Sequence, residues 1–186
     1  MSGGVRLETP RLVIREREEG DCPAVLEYAS DLETVKYMEW GPNTEEQTRE
    51  FLKASAVART ADTRNDFDLA VTLRNGGRLI GGCRLSVDSR VNRRASLGYV
   101  LNRAFGGQGY ATEAALAMVG YGFEALKLHR IMATTHPNNK ASGRVLEKCG
   151  FRYEGRRRED KLVRGEWRDS LVFSILEQDW GNGKGG

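Results

Sequence analysis

The stretch FGGQGYATEA, residues 105–114, packs three glycines into five residues and then runs into helix-forming residues. Gly106, Gly107 and Gly109 can take backbone angles closed to other residues, and they let a ligand approach the main chain. The amides that follow are the unpaired donors of a helix N-terminus, with the positive end of the helix dipole behind them. Such a turn attracts an anion, commonly a phosphate. Two familiar phosphate loops do not fit. A P-loop needs Lys and then Ser or Thr after its last glycine, and neither follows here. A dinucleotide fingerprint fits at Gly107 and Gly109, but Thr112 stands where its third glycine belongs, and the stretch comes mid-chain after a meander rather than opening a βαβ unit.

The elements around this turn follow from pattern. RLVIRE, residues 11–16, predicts a first strand. Asp21 is placed to cap a helix starting at Cys22–Pro23, and DLETVKYM extends that helix or forms a second short one. Thr44 and Gln47 have capping-box spacing and open a helix through Phe51, Leu52 and Ala56. FDLAVTLRNGGRLIGGCRLSVD reads as two strands around the turn at Asn75–Gly76–Gly77, and ASLGYVLN as a third. The glycine stretch then opens a helix from Tyr110 to about Leu126, with Ala111, Ala115, Met118, Gly122 and Leu126 on its buried face. HRIMATTH is a strand joined to ASLGYVLN by a parallel crossover. Asn138 or Asn139 caps a helix that Gly150 ends, and FRYEGRRR and DSLVFSIL close the fold. The reading is an α+β (α/β) domain over residues 1–180, with about seven mostly antiparallel strands and helices on both faces, followed by a flexible glycine-rich tail at 181–186.

Composition narrows the function classes. The 186 residues are 39% hydrophobic and 30% charged with a net charge of +3, which fits a globule with a real core and is too mild to indicate nucleic acid. The basic run Arg152–Arg168 is interrupted by Glu154, Glu159, Asp160 and Glu166, as in a solvated strand. No apolar run approaches the roughly 20 residues of a membrane span, and the N-terminal residues lack a signal-peptide pattern, so a cytoplasmic location is expected. Cys22, Cys83 and Cys149 are scattered, and His129 and His136 are the sole histidines; neither a disulfide framework nor a metal site is expected.

GGQGYATEA resembles the glycine signature of the GNAT superfamily of acyl-CoA N-acyltransferases, and more closely its RimJ/RimL-like branch. A second block, HPNNKASGRVLEKCGFRYEG at 136–155, is similar to that family's NxxS helix followed by LEKxGF and EG. The opening LETPRLVIRE and the closing residues Gly165, Asp169 and LVFSIL also resemble the branch, so the likeness spans nearly the whole chain. It implies the GNAT fold and acetyl transfer from acetyl-CoA, without a metal, directly to a primary amine. That amine is a protein N-terminus, as in ribosomal-protein acetylation, or a small amine such as a polyamine or aminoglycoside; a non-catalytic CoA-binding module is the other class. A homodimer is possible, and neither nucleic acid nor membrane is an expected partner.

By the resemblance, Gly107, Gln108, Gly109, Tyr110, Ala111 and Thr112 cradle the CoA pyrophosphate, and Val100 and Leu101 contact pantetheine, with a main-chain amide near Val100 as oxyanion donor. Asn139 contacts the pantetheine arm or merely caps its helix. Ser142 serves the leaving sulfur or merely its own backbone. Arg144 and Lys148 meet the ligand's phosphates or solvent. Two positions depart from the pattern: Gly106 stands where Gln or Arg is usual, and Ser96 where many members carry a glutamate base. Glu159 is the substitute base expected here, ahead of Tyr99, His136 and Asp169. Direct transfer needs the amine neutral, its proton removed and the thiolate stabilised; neither a GxSxG motif nor a catalytic-cysteine signature is present.

Overall fold

A computed structural model describes residues 4–182. Eight strands form one sheet in the order β1-β2-β3-β4-β5-β6-β8-β7: β1 (Arg6–Glu8), β2 (Leu12–Glu16), β3 (Asp66–Leu73), β4 (Leu79–Ser89), β5 (Arg94–Leu101), β6 (Arg130–Thr135), β7 (Arg152–Val163) and β8 (Glu166–Leu176). The eighth strand beyond the expected seven is β1, three residues that pair antiparallel with β2. β5 and β6 pair in parallel, and every other neighbouring pair is antiparallel. The helices are α1 (Cys22–Ala29), α2 (Leu32–Val35), α3 (Glu45–Arg59), α4 (Tyr110–Glu124), α5 (Lys140–Lys148) and α6 (Glu177–Asn182). Of the tail expected from 181, Gly181 and Asn182 complete α6; residues 183–186 lie outside the described residues.

Local chemistry starts and stops these helices. Thr44 and Gln47 exchange both capping-box hydrogen bonds at the head of α3. Asn139 caps α5 by accepting from the Ser142 amide at 3.1 Å. Gly150, at φ +84°, ends α5 with the paired backbone bonds Gly150 to Glu147 and Phe151 to Leu146, a Schellman motif. Asp21 does not cap α1 as expected. Its carboxylate is taken by the Arg15 guanidinium at 2.7 and 2.9 Å and by the Glu18 amide, so a stronger charged partner outcompetes the cap.

The strand period of two splits the core. Phe67, Leu69 and Val71 of β3 point to the face covered by α4, with Met118, Val119 and Phe123, while Ala70 packs on the other face with Val25, Tyr28 and Leu52 of α1 and α3. All three cysteines are buried and unpaired. Among the described residues no helix is long and apolar enough to cross a membrane.

Candidate active site

The sheet opens at its one parallel joint. β5 pairs with β6 only over Arg94–Ser96 against Arg130–Met132; beyond that, Leu97–Leu101 and Ala133–Thr135 diverge and leave facing strand edges unpaired. Unpaired backbone of this kind needs a partner, and an amide-bearing ligand arm laid between the strands could supply one. Asn102 donates to Ile80 across β4, and the Val100 carbonyl lies so close to β4 that a Cβ on Gly81 would meet it at 2.2 Å. Alternation along the strand then turns the peptide groups of Leu101, rather than those of Val100, toward the open side. The amide that faces the gap near Val100 is therefore that of Leu101. Val100 itself lines the cleft, whereas the Leu101 side chain packs into the core on the opposite face.

The glycine turn sits at the end of β5. Gly107 at φ +74° and Gly109 at φ +82° are both left-handed, and Gly109 is the N-cap of α4. Gln108, Tyr110, Ala111 and Thr112 complete the turn and first helical residues. The distant N-terminal segment fixes it in place. Arg11 donates to the Gln108 carbonyl at 2.9 Å, stacks on the Tyr110 ring at 4.6 Å and pairs with Glu113 at 2.6 Å, and the Thr9 hydroxyl donates to the same carboxylate. LETPRL and YATEA thus form one assembly. Burial alone would push the Glu113 carboxyl up; Thr9 and Arg11 outweigh it and hold it below the usual range. Arg144 and Lys148 are exposed on α5.

Across the opening, the Tyr99 hydroxyl meets Ser142 Oγ at 2.9 Å and the Ser142 carbonyl at 3.1 Å. Burial holds the Tyr99 phenol protonated far above its ordinary range, although Ser142 pulls the other way. Either hydroxyl can donate in the 2.9 Å contact; when Tyr99 donates to Ser142 Oγ, the Ser142 proton can point into the cleft, which Tyr99, Asn139 and Ser142 all line. Cys149, behind this wall, is pushed up to about 12 by burial and is inert.

The cleft, about 840 Å³, continues from this joint beneath α1, the α2–α3 connection and the β7–β8 hairpin. Glu159 does not line it. It occupies a bulge in β7 at φ +49°, exposed, its amide donating to Asp169. The bulge presents the next residue, Asp160, to the cleft instead. Sequence alternation could not reveal this, because a bulge shifts the facing residue by one. Asp169 lines the cleft but is engaged by the Glu159 amide and by Arg156, which hold its carboxyl below the usual range. His136 stacks on Tyr37 at 5.0 Å and accepts from the Asn138 amide at Nδ1; burial, and then Arg168, hold it below its ordinary range.

Two features escaped sequence reasoning. Arg17, 6% exposed, pairs with Asp68 at 2.6 Å, touches the Tyr28 hydroxyl and stacks on Phe51. Its guanidinium lies where a Cβ on Gly82 would be, 1.9 Å away, so that glycine makes room for the cation. In addition, Arg164 at the hairpin tip donates to the carbonyls of Val35, Trp40 and Gly41, Arg168 donates to that of Lys36, and Lys161 pairs with Glu39. The hairpin thereby straps residues 35–41 over the cleft.

The Acetyltransferase (GNAT) domain family matches residues 11–152 of this chain. The chain belongs to the GNAT acetyltransferase family. It is similar to the N-acetyltransferase YnaD of Bacillus subtilis, 37% identical over 176 residues, which covers 95% of this chain and 99% of the relative. Its fold is that of a GNAT-family acetyltransferase from Bacillus anthracis, with a TM-score of 0.83 and 36% identity over 94% of this chain and 99% of that one. It is also 36% identical over 88 residues to the [ribosomal protein uS5]-alanine N-acetyltransferase of Escherichia coli, which covers 47% of this chain and 45% of that protein. As a GNAT member this chain is an acetyl-CoA-dependent N-acetyltransferase.

Proposed function

We propose that this GNAT enzyme acetylates the N-terminal α-amine of a polypeptide. The observation that carries the reading is the charge balance of the cleft. Five cations (Arg17, Arg84, Arg157, Lys161, Arg168) face five carboxylates (Glu39, Asp68, Asp88, Asp160, Asp169), so there is no net acidic well for a polycation. Of the acidic residues on the early helices and the loop that follows them, Glu39 is paired with Lys161, Glu33 with Lys36 and Glu45 with Arg49, which offsets most of their charge. Tyr37, His136, Arg168 and Asp169 also border an adjoining depression walled by Trp167, giving room for residues behind the amine. The uS5-alanine enzyme's name agrees with such an acceptor.

In this reading, acetyl-CoA supplies the thioester, its phosphates meet the amides of Gly107 to Thr112, and its pantetheine arm lies between β5 and β6 beside Asn139. The Leu101 amide faces the developing oxyanion, a donor of the kind whose loss costs about 100- to 1000-fold. An α-amine has a pKa near 8, so a fair fraction is already neutral at physiological pH. As nitrogen attacks and the C–S bond breaks, the Tyr99–Ser142 pair donates its free proton to the thiolate.

The test is thiol release from acetyl-CoA with peptides bearing free or blocked N-termini, alongside spermidine and an aminoglycoside. Release that requires the free α-amine is expected. Release with the polyamine but with no peptide would overturn the acceptor assignment.

A further inference from the structure

We infer that Asp88, acting through the Ser96 hydroxyl, receives the proton of the attacking amine. Of the five carboxylates that line the cleft, Glu39, Asp68, Asp160 and Asp169 each have a cation within ion-pair reach: Lys161, Arg17, Arg157 and Arg156. A carboxylate so neutralised is a poor proton acceptor. Asp88 differs. Among the described residues its partner is the Ser96 hydroxyl, which donates to Oδ2 at 2.7 Å, and no cation lies within ion-pair distance.

The placement comes from strand geometry. Val87 pairs with Ala95 and Ser89 with Arg94, so Asp88 is the extra residue of a bulge in β4. A bulge re-aims the side chain it carries, and here the carboxylate turns toward Ser96. Ser96 is the last β5 residue paired with β6 and stands where the two strands begin to part. Both side chains line the cleft, and Asp88 is also exposed to solvent. A hydroxyl in the cleft backed by a carboxylate in water is a two-step proton exit. The amine's proton passes to Ser96 Oγ as the hydroxyl's own proton passes to Asp88 Oδ2, while the N–C bond forms and the C–S bond breaks. The thiolate takes its proton from the Tyr99–Ser142 side. Asp88 then releases its proton to water, and the Tyr99–Ser142 pair regains one.

The inference rests on the N-acetyltransferase activity, and its test runs on whichever amine the wild-type enzyme accepts. A wild-type enzyme that takes only polyamines would sink the N-terminal acceptor and leave this test intact. Steady-state kinetics and thermal melting are compared for D88N, D88E, S96A and the double variant D88N/S96A. The expectation is a kcat about 100-fold lower in D88N and in S96A, with KM for acetyl-CoA and Tm unchanged. D88E should recover at least a tenth of wild-type kcat. The double variant should be no slower than the worse single one, as for groups that act as a unit. A D88N kcat within threefold of wild type, fully additive losses, or a loss that tracks a lowered Tm and is not rescued in D88E would each overturn the assignment.

Discussion

Gly109 offers a clean measurement of the charge bound at the glycine turn. It is exposed, holds φ +82° and N-caps α4. A Cβ there would stand 3.3 Å from Arg11 Nη2, a contact that gives by a few tenths of an ångström. Asn and Asp tolerate left-handed angles and the N-cap position better than other residues, so G109N and G109D have nearly the same shape and differ in one charge. Arg11 is engaged by Glu113 through Nε, but its Nη2 lies close enough to offset part of a new carboxylate's charge. Two unit charges about 4 Å apart interact by about 4 kcal/mol at an effective dielectric near 20. Solvent at this exposed turn reduces that to about 2 kcal/mol. At 1.4 kcal/mol per tenfold, CoA should bind G109D about 30-fold more weakly than G109N. Titration calorimetry with CoA at low ionic strength measures the ratio, which should shrink toward unity near 1 M salt. Equal affinities for the two variants at low salt would refute the placement of the pyrophosphate at this turn.

Other perturbations separate chemistry from scaffold. S142A and Y99F should each lower kcat about 10- to 100-fold with KM for acetyl-CoA little changed, since each removes one of two shared hydroxyl protons; pre-steady-state thiol release reads this directly. D68N leaves the Arg17 cation buried and unpaired and should cost about 3–5 kcal/mol in urea unfolding. G82A should fall in the same class, because its Cβ displaces that same guanidinium. The Glu113 carboxyl titrates below its unfolded value, so the stability it supplies is present above about pH 4.3 and is lost as pH falls through the lower folded value. The stability of E113Q should therefore fall less steeply with acid than that of wild type, as unfolding midpoints between pH 3 and 6 will show.

What sequence could and could not reveal follows from the range of the interactions. The capping box at Thr44 and Gln47, the Asn139 cap and the Gly150 stop are decided within four residues, and the structure has them where the pattern predicts. The glycine turn and the NxxS helix were legible as elements for the same reason: they are short contiguous motifs, and the structure forms both. β1 escaped notice because three residues carry too little periodicity. Asp21 misled because a cap is a local inference, and Arg15, on a preceding strand, competes for it. The rest of the cleft is assembled from α1, the α2–α3 connection, β4 and the β7–β8 hairpin, and its facing residues are chosen by bulges at Asp88 and beside Glu159. Neither bulge has a glycine or proline to announce it.

The grip of Arg164 and Arg168 on residues 35–41 is directed at carbonyl oxygens. A main-chain carbonyl is the same whatever side chain its residue bears. Apart from the Lys161–Glu39 pair, the grip is indifferent to what residues 38–40 are, although Met38, Glu39 and Trp40 form a wall of the cleft. That wall of the cleft can be rewritten residue by residue while its position is held. A scaffold with that property can reshape its cleft without first losing its fold.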